Sequence, residues 1–247
     1  MENSEVLFMV LLYKSEKLPV RAPYDIEILG KKMWQWVSLC GDGFDIATAP
    51  CTNESDIIAL IKPYIKNTHK VVVALYSDTP LITRDNILEI LDYFNGRHLN
   101  VLKLKRGYVF DASYIKNCDS IIAPDNSLFD GEEFEPIDSL AKLNDVTNKL
   151  QQQIINFHMS NGVQILDKNT TYIDADVVIE KGCTIAPNNH IKGNTYLADN
   201  VTIEPNNIIV DSIISKNVIV RCSYISNSRI GENVIVGPFE TIIDKNL

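Results

Sequence analysis

Aliphatic residues recur at every sixth position through the last third of the chain: Ile173, Ile179, Ile185, Ile191, Leu197, Ile203 and Ile209. A second series keeps the same step, at Gly182, Asn188, Asn194, Asn200 and Asn206. Gly and Asn take a positive φ most readily, so this series predicts a tight turn once per repeat. An inward aliphatic and a corner every six residues describe one side of a triangular coil. Three sides make a coil of about eighteen residues, and roughly four coils fit. The pattern predicts a left-handed parallel β-helix of hexapeptide repeats from about Tyr172 to Ile243. After Ile209 the step shortens to about five, through Ile214, Ile219, Ile225, Ile230 and Val236, which predicts a shortened side or a small bulge.

The first half has a different rhythm. Val6 to Leu12 and Val71 to Tyr76 are continuous apolar runs, read as strands buried on both faces as in a parallel sheet. Helix-like stretches, Lys31 to Leu39 and Glu54 to Lys66, lie between them. Another helix is predicted from an N-cap at Thr83 to a stop at Asn95-Gly96. Leu99 to Leu104, Tyr108 to Phe110 and Ser120 to Ala123 are shorter strand candidates. Strands alternating with helices predict an α/β layered domain. An acidic loop, Asp125 to Pro136, leads to Leu140, Leu143, Val146, Leu150, Ile154 and Phe157, whose steps of three and four predict an amphipathic helix stopping at Asn161-Gly162. The expected division is a reduced α/β domain over 1–137, a linking helix over 138–162 and the β-helix over 163–247.

Composition narrows the function classes. Lys and Arg number 23 against 32 Asp and Glu, a net charge of -9, which argues against a nucleic-acid backbone binder. The run Val6 to Leu12 is too short to span a bilayer and follows two acids where a signal peptide would carry basic residues. Five cysteines without C-x-x-C spacing suggest neither a disulfide framework nor a zinc site, so a cytoplasmic protein with reduced thiols is expected.

Several segments resemble the GlmU family, bacterial bifunctional UDP-N-acetylglucosamine pyrophosphorylases and glucosamine-1-phosphate acetyltransferases. They are Leu143-Asn144-Asp145, His158 to Val163, Asp167, Thr171 to Asp174 and Gly237-Pro238-Phe239. Upstream, Leu75 to Ile82 is similar to the family's L-Y-G-D-x-P-L-I, and Gly30 to Met33 to its G-K-x-M. The resemblance implies a nucleotidyltransferase-like, Rossmann-like domain before the β-helix. Departures accompany it. The family's Gly-rich phosphate loop, L-x-A-G-x-G-T-R-M, corresponds to Leu11 to Leu18, which contains no glycine. Pro23 stands for the lysine of its P-K-V, no Q-x-x-G-T-G-H-A occurs between Gly41 and Lys70, and its N-T-G is Lys105-Arg106-Gly107. The chain ends at Leu247, so the later coils that carry the family's acetyltransferase histidine and coenzyme A contacts are not expected.

The same resemblance implies Mg²⁺ ligands at Asp78 and Asn144, oxygen donors that suit a hard cation. Each has an ordinary alternative: Asp78 as a turn residue before Pro80, Asn144 as a helix N-cap. Tyr76, Lys14 and Lys17 are the candidate substrate-binding residues. Lys105 and Arg106 form a small basic pair with the same ambiguity, and His158 and His190 read as structural. Two functions stay open: a non-catalytic relative binding a nucleotide sugar or sugar phosphate, which the departures favour, and an active Mg²⁺-dependent uridylyltransferase on a sugar 1-phosphate. Flat coil faces and the few coils predict a homotrimer through the β-helix, as the resemblance to a trimeric family also implies.

Overall fold

The computed structural model describes residues 2–13, 18, 23–119, 121 and 129–247. The chain divides into two compact units, one of residues 1–27 and 32–146, the other of 28–31 and 147–247.

In the first unit, β1 (Val6–Tyr13) is followed along the chain by a two-residue ribbon, β2 (Glu27–Ile28) and β3 (Lys31–Lys32), whose residues are divided between the two units, and then by β4 (Asp45–Cys51) and β5 (Val71–Tyr76). A hairpin follows, of β6 (Val101–Leu104) and β7 (Gly107–Asp111). The main sheet runs β4-β1-β5-β7-β6. Strands β4, β1 and β5 are parallel, as the apolar runs predict; β7 and β6 are antiparallel, so the sheet is mixed. Alternation along β1 and β5 supplies two cores. Phe8, Val10, Val73 and Leu75 pack with Ile87, Ile90 and Phe94 of α3 (Arg84–Gly96). Leu7, Met9, Val72 and Ala74 pack with Ile57 and Ile61 of α2 (Ile57–Ile61) and Ile115 of α4 (Ala112–Asn117). This is Rossmann-like layering, buried on both faces.

Local details follow the residue chemistry. Thr83 caps α3 by accepting from Asn86 N, as expected. α1 begins at Met33 and ends at Leu39. The predicted helix from Glu54 to Lys66 is a single short α-helix flanked by 3₁₀ turns, Pro63 lying in the second. Strand β4 was not predicted, because Asp-Ile-Ala-Thr-Ala-Pro-Cys is neither an apolar run nor a clean alternation; it is an edge strand, where Pro50 is tolerated. The expected strand Ser120 to Ala123 falls almost wholly outside the described residues.

Helix α5 spans Leu140–Ser160. It starts four residues before Asn144: Ser139 Oγ accepts from Lys142 N, so Ser139 is the cap and Asn144 is not. Its buried positions are Val146, Leu150, Gln151, Ile155 and His158. Leu140 and Phe157, counted in the predicted apolar stripe, are exposed, so the buried stripe is turned by about one position along the C-terminal half. The helix stops where predicted: Gly162 takes φ 88°, with Val163 N donating to His158 O and Gly162 N to Met159 O.

The second unit is the left-handed parallel β-helix, three parallel sheets of four, five and five short strands. Ile165, Ile173, Ile179, Ile185, Ile191, Leu197, Ile203, Ile209, Ile214, Val220, Ile225, Ile230, Val236 and Ile242 fill its interior. The expected inward Ile219 is replaced by Val220; Ile219 is only partly buried. The first turn, from Ile165 to Ile185, holds twenty residues, and the coils after it hold eighteen, Ile185 pairing with Ile203 and Ile191 with Ile209. Later ones shorten to seventeen or sixteen, as Ile203↔Val220 and Ile209↔Ile225 record. The stacking register survives the shortening, since the inward residues of successive coils still pair one above the other. Gly182, Asn188, Asn200 and Asn206 have positive φ, as predicted; at the remaining corner Gly193 takes that role instead of Asn194.

Two corner asparagines are wholly buried. Asn189 Oδ1 accepts from Asn207 N at 2.8 Å, and Asn207 Oδ1 accepts from Ser223 N at 2.8 Å, so each coil satisfies the next. Replacing Asn207 orphans the buried Ser223 N–H, worth about 1–3 kcal/mol, and removes one of the two amide donors to the Glu204 carbonyl, the other being Asn189 Nδ2. Asn207→Ala is expected to destabilise the β-helix by about 3 kcal/mol. Urea unfolding of the full chain checks this, and a loss no larger than that of an exposed-asparagine control would contradict it.

Candidate functional site

The C-terminal ends of β1 and β5 lie side by side in the sheet, Leu11 opposite Tyr76. Open parallel sheets place ligands at this end. Chain continuing from β5 stays buried through Ser77, Asp78, Thr79 and Pro80. Backbone bonds hold it there: Ser77 N donates to Leu11 O, and Ile137 N to Asp78 O, both at 2.9 Å. Ser77 Oγ accepts from Tyr13 N, and Thr79 Oγ1 donates to Tyr76 O, each at 3.1 Å.

Asp78 therefore enters a buried position as a carboxylate, and a buried carboxylate requires a counter-charge. Arg106 supplies it. Arg106 Nε lies 3.0 and 3.2 Å from the two Asp78 oxygens, and Nη2 lies 2.7 Å from Oδ2. The side chains are 16% and 4% exposed, so the pair is shielded from solvent. The guanidinium carbon sits 4.0 Å from the Tyr76 ring centroid and 4.4 Å from that of Tyr13. Those rings meet edge-on at 5.3 Å. Burial opposes the Arg106 charge, but the hydrogen bonds and charge of Asp78 outweigh it and hold the guanidine pKa above its ordinary value.

Gly107 makes the placement possible. Its φ is +147°, and a Cβ there would lie 2.5 Å from Ala74 O, so only glycine lets the β6–β7 turn close over β5. Arg106 is the residue before that approach. Around the pair, the Tyr76 hydroxyl is buried and has no hydrogen-bond partner among the described residues. Burial, with the nearby Glu54 and Cys51, pushes the Tyr76 phenol pKa far above the ordinary tyrosine value. Burial likewise raises the Cys51 thiol, so it is not a nucleophilic thiolate at neutral pH.

The predicted site residues divide. Tyr76 and Asp78 come together with Arg106 and Tyr13. Asn144 is exposed in the second turn of α5. Lys14 and Lys17 lie outside the described residues. A magnesium ion does not fit at Asp78 as these residues stand, because both carboxylate oxygens already accept from a guanidinium. Among the described residues no group of three or more His, Cys, Asp or Glu side chains could hold a metal ion. A separate cavity of about 370 Å³, lined by Glu5, Lys70, Asn95, His98, Asn100 and Asp111, lies at the opposite ends of β1 and β5. Its acids are already engaged: Glu5 pairs with Lys70, and Asp111 caps α4.

No family model matches the chain. Among curated proteins, the bifunctional protein GlmU of Clostridium beijerinckii is 43% identical over 120 residues, 47% of this chain and 26% of that protein. The bifunctional protein GlmU of Clostridium botulinum is 43% identical over 113 residues, 46% of this chain and 25% of that protein. That of Clostridium acetobutylicum is 40% identical over 111 residues, 45% and 24% respectively. Just under half of this chain is GlmU-like. The match spans about a quarter of the length of these GlmU proteins. Against the GlmU motifs set out above, Arg106 takes the middle position of the N-T-G turn while Gly107 is kept. Sequence reading saw the basic pair and the carboxylate but not that one grips the other; positions 28 apart, in a strand end and a hairpin turn, give no spacing signal.

Breaking this pair leaves a buried charge alone. Arg106→Met is expected to cost about 3–5 kcal/mol, and Asp78→Asn with Arg106→Met to recover much of that. A double-mutant cycle by denaturant unfolding measures the coupling; additive single costs would refute the pair as the site's organising contact.

Proposed function

We propose that this protein is a GlmU-related binder of a nucleotide sugar or sugar phosphate, with little or no catalysis of its own. The observation that carries the reading is the Arg106 guanidinium lying across the Asp78 carboxylate at the strand ends. Metal-assisted nucleotidyl transfer needs oxygen donors free for the ion, and here those oxygens are taken. The glycine-free stretch Leu11 to Leu18 supports the same reading, since a phosphate loop works through closely approaching backbone N–H groups. In this reading residues 1–137 are the reduced nucleotidyltransferase-like domain, 138–162 the linking helix and 163–247 the β-helix. Acetyl transfer is not part of the reading for His190, whose ring stacks on Tyr172 at 5.0 Å in a structural role. No helix is long and apolar enough to cross a membrane among the described residues, and all five cysteines are free, which supports a cytoplasmic setting.

A second reading, an active Mg²⁺-dependent nucleotidyltransferase on a sugar 1-phosphate, draws on the position of Asp78 at the end of β5. It requires Asp78 to exchange Arg106 for metal. Calorimetric titration with UDP-N-acetylglucosamine and with glucosamine 1-phosphate tests the binding reading, alongside pyrophosphate release from UTP and N-acetylglucosamine 1-phosphate. Binding of a sugar ligand is expected, with turnover absent or several orders below an intact enzyme: each lost N–H donor costs about two to three decades. Robust turnover would overturn it.

The proposal includes a homotrimer through the β-helix. One sheet stacks Tyr172, His190, Ile208, Tyr224 and Thr241 in a column, with Ile208 and Tyr224 exposed. Apolar residues on a flat coil face suit closed symmetric packing. Light scattering is expected to give the mass of three chains; one or two chains, unchanged on dilution, would refute it.

A further inference from the structure

We propose that Arg106 is the resident cation of the strand-end site, standing where a divalent metal would otherwise balance Asp78, so that a phosphate-bearing ligand is taken without metal. The identity of that ligand rests on the binding reading above; the cation role rests on geometry alone. Three features carry it. The charge beside Asp78 is fixed, because Nε and Nη2 address the carboxylate while the guanidinium packs against the Tyr13 and Tyr76 rings. A divalent ion entering here would meet that buried positive charge and would have to displace a paired, ring-packed side chain.

Second, the guanidinium is not exhausted. Its Nη1 makes no hydrogen bond among the described residues, and both of its N–H groups can donate. A planar fork held on one side by a carboxylate offers the other side to a phosphate oxygen. Third, the buried Tyr76 hydroxyl beside it has no partner among the described residues. A buried O–H without a partner is costly, and a ligand oxygen would satisfy it. Asp78 in this arrangement is a positioning residue: it aims the guanidinium and does not touch the ligand.

The test separates the cation role from the ligand. Mn²⁺ is titrated into the full chain without nucleotide, and binding is read from the free-ion electron paramagnetic resonance signal. No binding is expected in the wild type at millimolar metal; a bound equivalent that disappears in Asp78→Asn would overturn the proposal. Melting temperatures are compared with and without millimolar Mg²⁺. The wild type is expected not to move. Arg106→Met is expected to melt lower and to regain several degrees with Mg²⁺, a gain lost in Arg106→Met with Asp78→Asn. Arg106→Met that folds but gains nothing overturns the idea that the two cations share one place. Should that variant not fold, the wild-type Mn²⁺ and Mg²⁺ measurements decide. UDP-N-acetylglucosamine affinity is expected to agree within about twofold in chelator and in Mg²⁺. A tenfold gain in Mg²⁺ overturns the metal-free site, whereas no binding in either overturns the sugar-ligand reading and leaves the metal titrations to judge Arg106.

Discussion

A polar group taken out of water must find a partner inside, and both units of this protein are organised by how that demand is met. In the first, following an apolar strand into the interior drags a carboxylate after it, and Asp78 is tolerable because Arg106 reaches it from the neighbouring hairpin. In the second, the corners of a coil bury backbone groups that no ladder bond serves. Asn189 and Asn207 therefore stand inside the turns and bond carbonyls and N–H groups of adjacent coils. Gln151 plays the same part at the first coil, donating to Thr171 O at 2.8 Å and Lys168 O at 3.2 Å. The partner is not optional in any of these places.

That constraint also determines what the strand-end site can do. A carboxylate held side-on by guanidinium is a poorer metal ligand and a poorer base, since each oxygen already accepts from a cation whose charge opposes a second one. What remains on offer is donors, from Arg106 Nη1 and the Tyr76 hydroxyl, on a platform of two tyrosine rings. Donors and ring faces bind anions and planar groups; they do not move protons or activate a nucleophile at neutral pH. In the proposed reading, the chemistry left to the site is recognition.

The β-helix was the most legible element because its signal repeats. Each inward aliphatic is fixed by the one eighteen residues earlier, so Ile173 to Ile209 could be read without reference to anything outside the segment. Where coils shorten, local spacing no longer says which neighbour faces inward, so a step of five points to Ile219 while Val220 is the buried residue. Gly193, adjacent to Asn194, shows the same ambiguity at a corner, where either residue type accepts the turn. In the α/β unit, buried strands β1 and β5 were evident from apolar runs, while edge strand β4 carries too few apolar residues to announce itself. The candidate site was half visible. Asp78 and Tyr76 stood out by their place after a strand, and Arg106 was noted only as part of a basic pair. Its partner could be found only once the hairpin was folded back on β5, because tertiary pairing leaves no trace in linear spacing.

Gly107 explains how so small a change can alter a site without altering the fold. The turn between β6 and β7 must pass close to the Ala74 carbonyl, and only glycine permits it, so the backbone path is fixed by sterics independent of the residue before it. The side chain at 106 is then free to vary in chemistry at a constant position, directly beside the strand end. A short polar side chain there would leave Asp78 its oxygens and would oblige some other cation to balance it. An arginine reaches the carboxylate, brings the charge with it and packs against the Tyr13 and Tyr76 rings. The scaffold is preserved by Gly107 and the chemistry beside the strand end is set by the residue before it, which is how, in the proposed reading, a shared fold stops implying a shared activity.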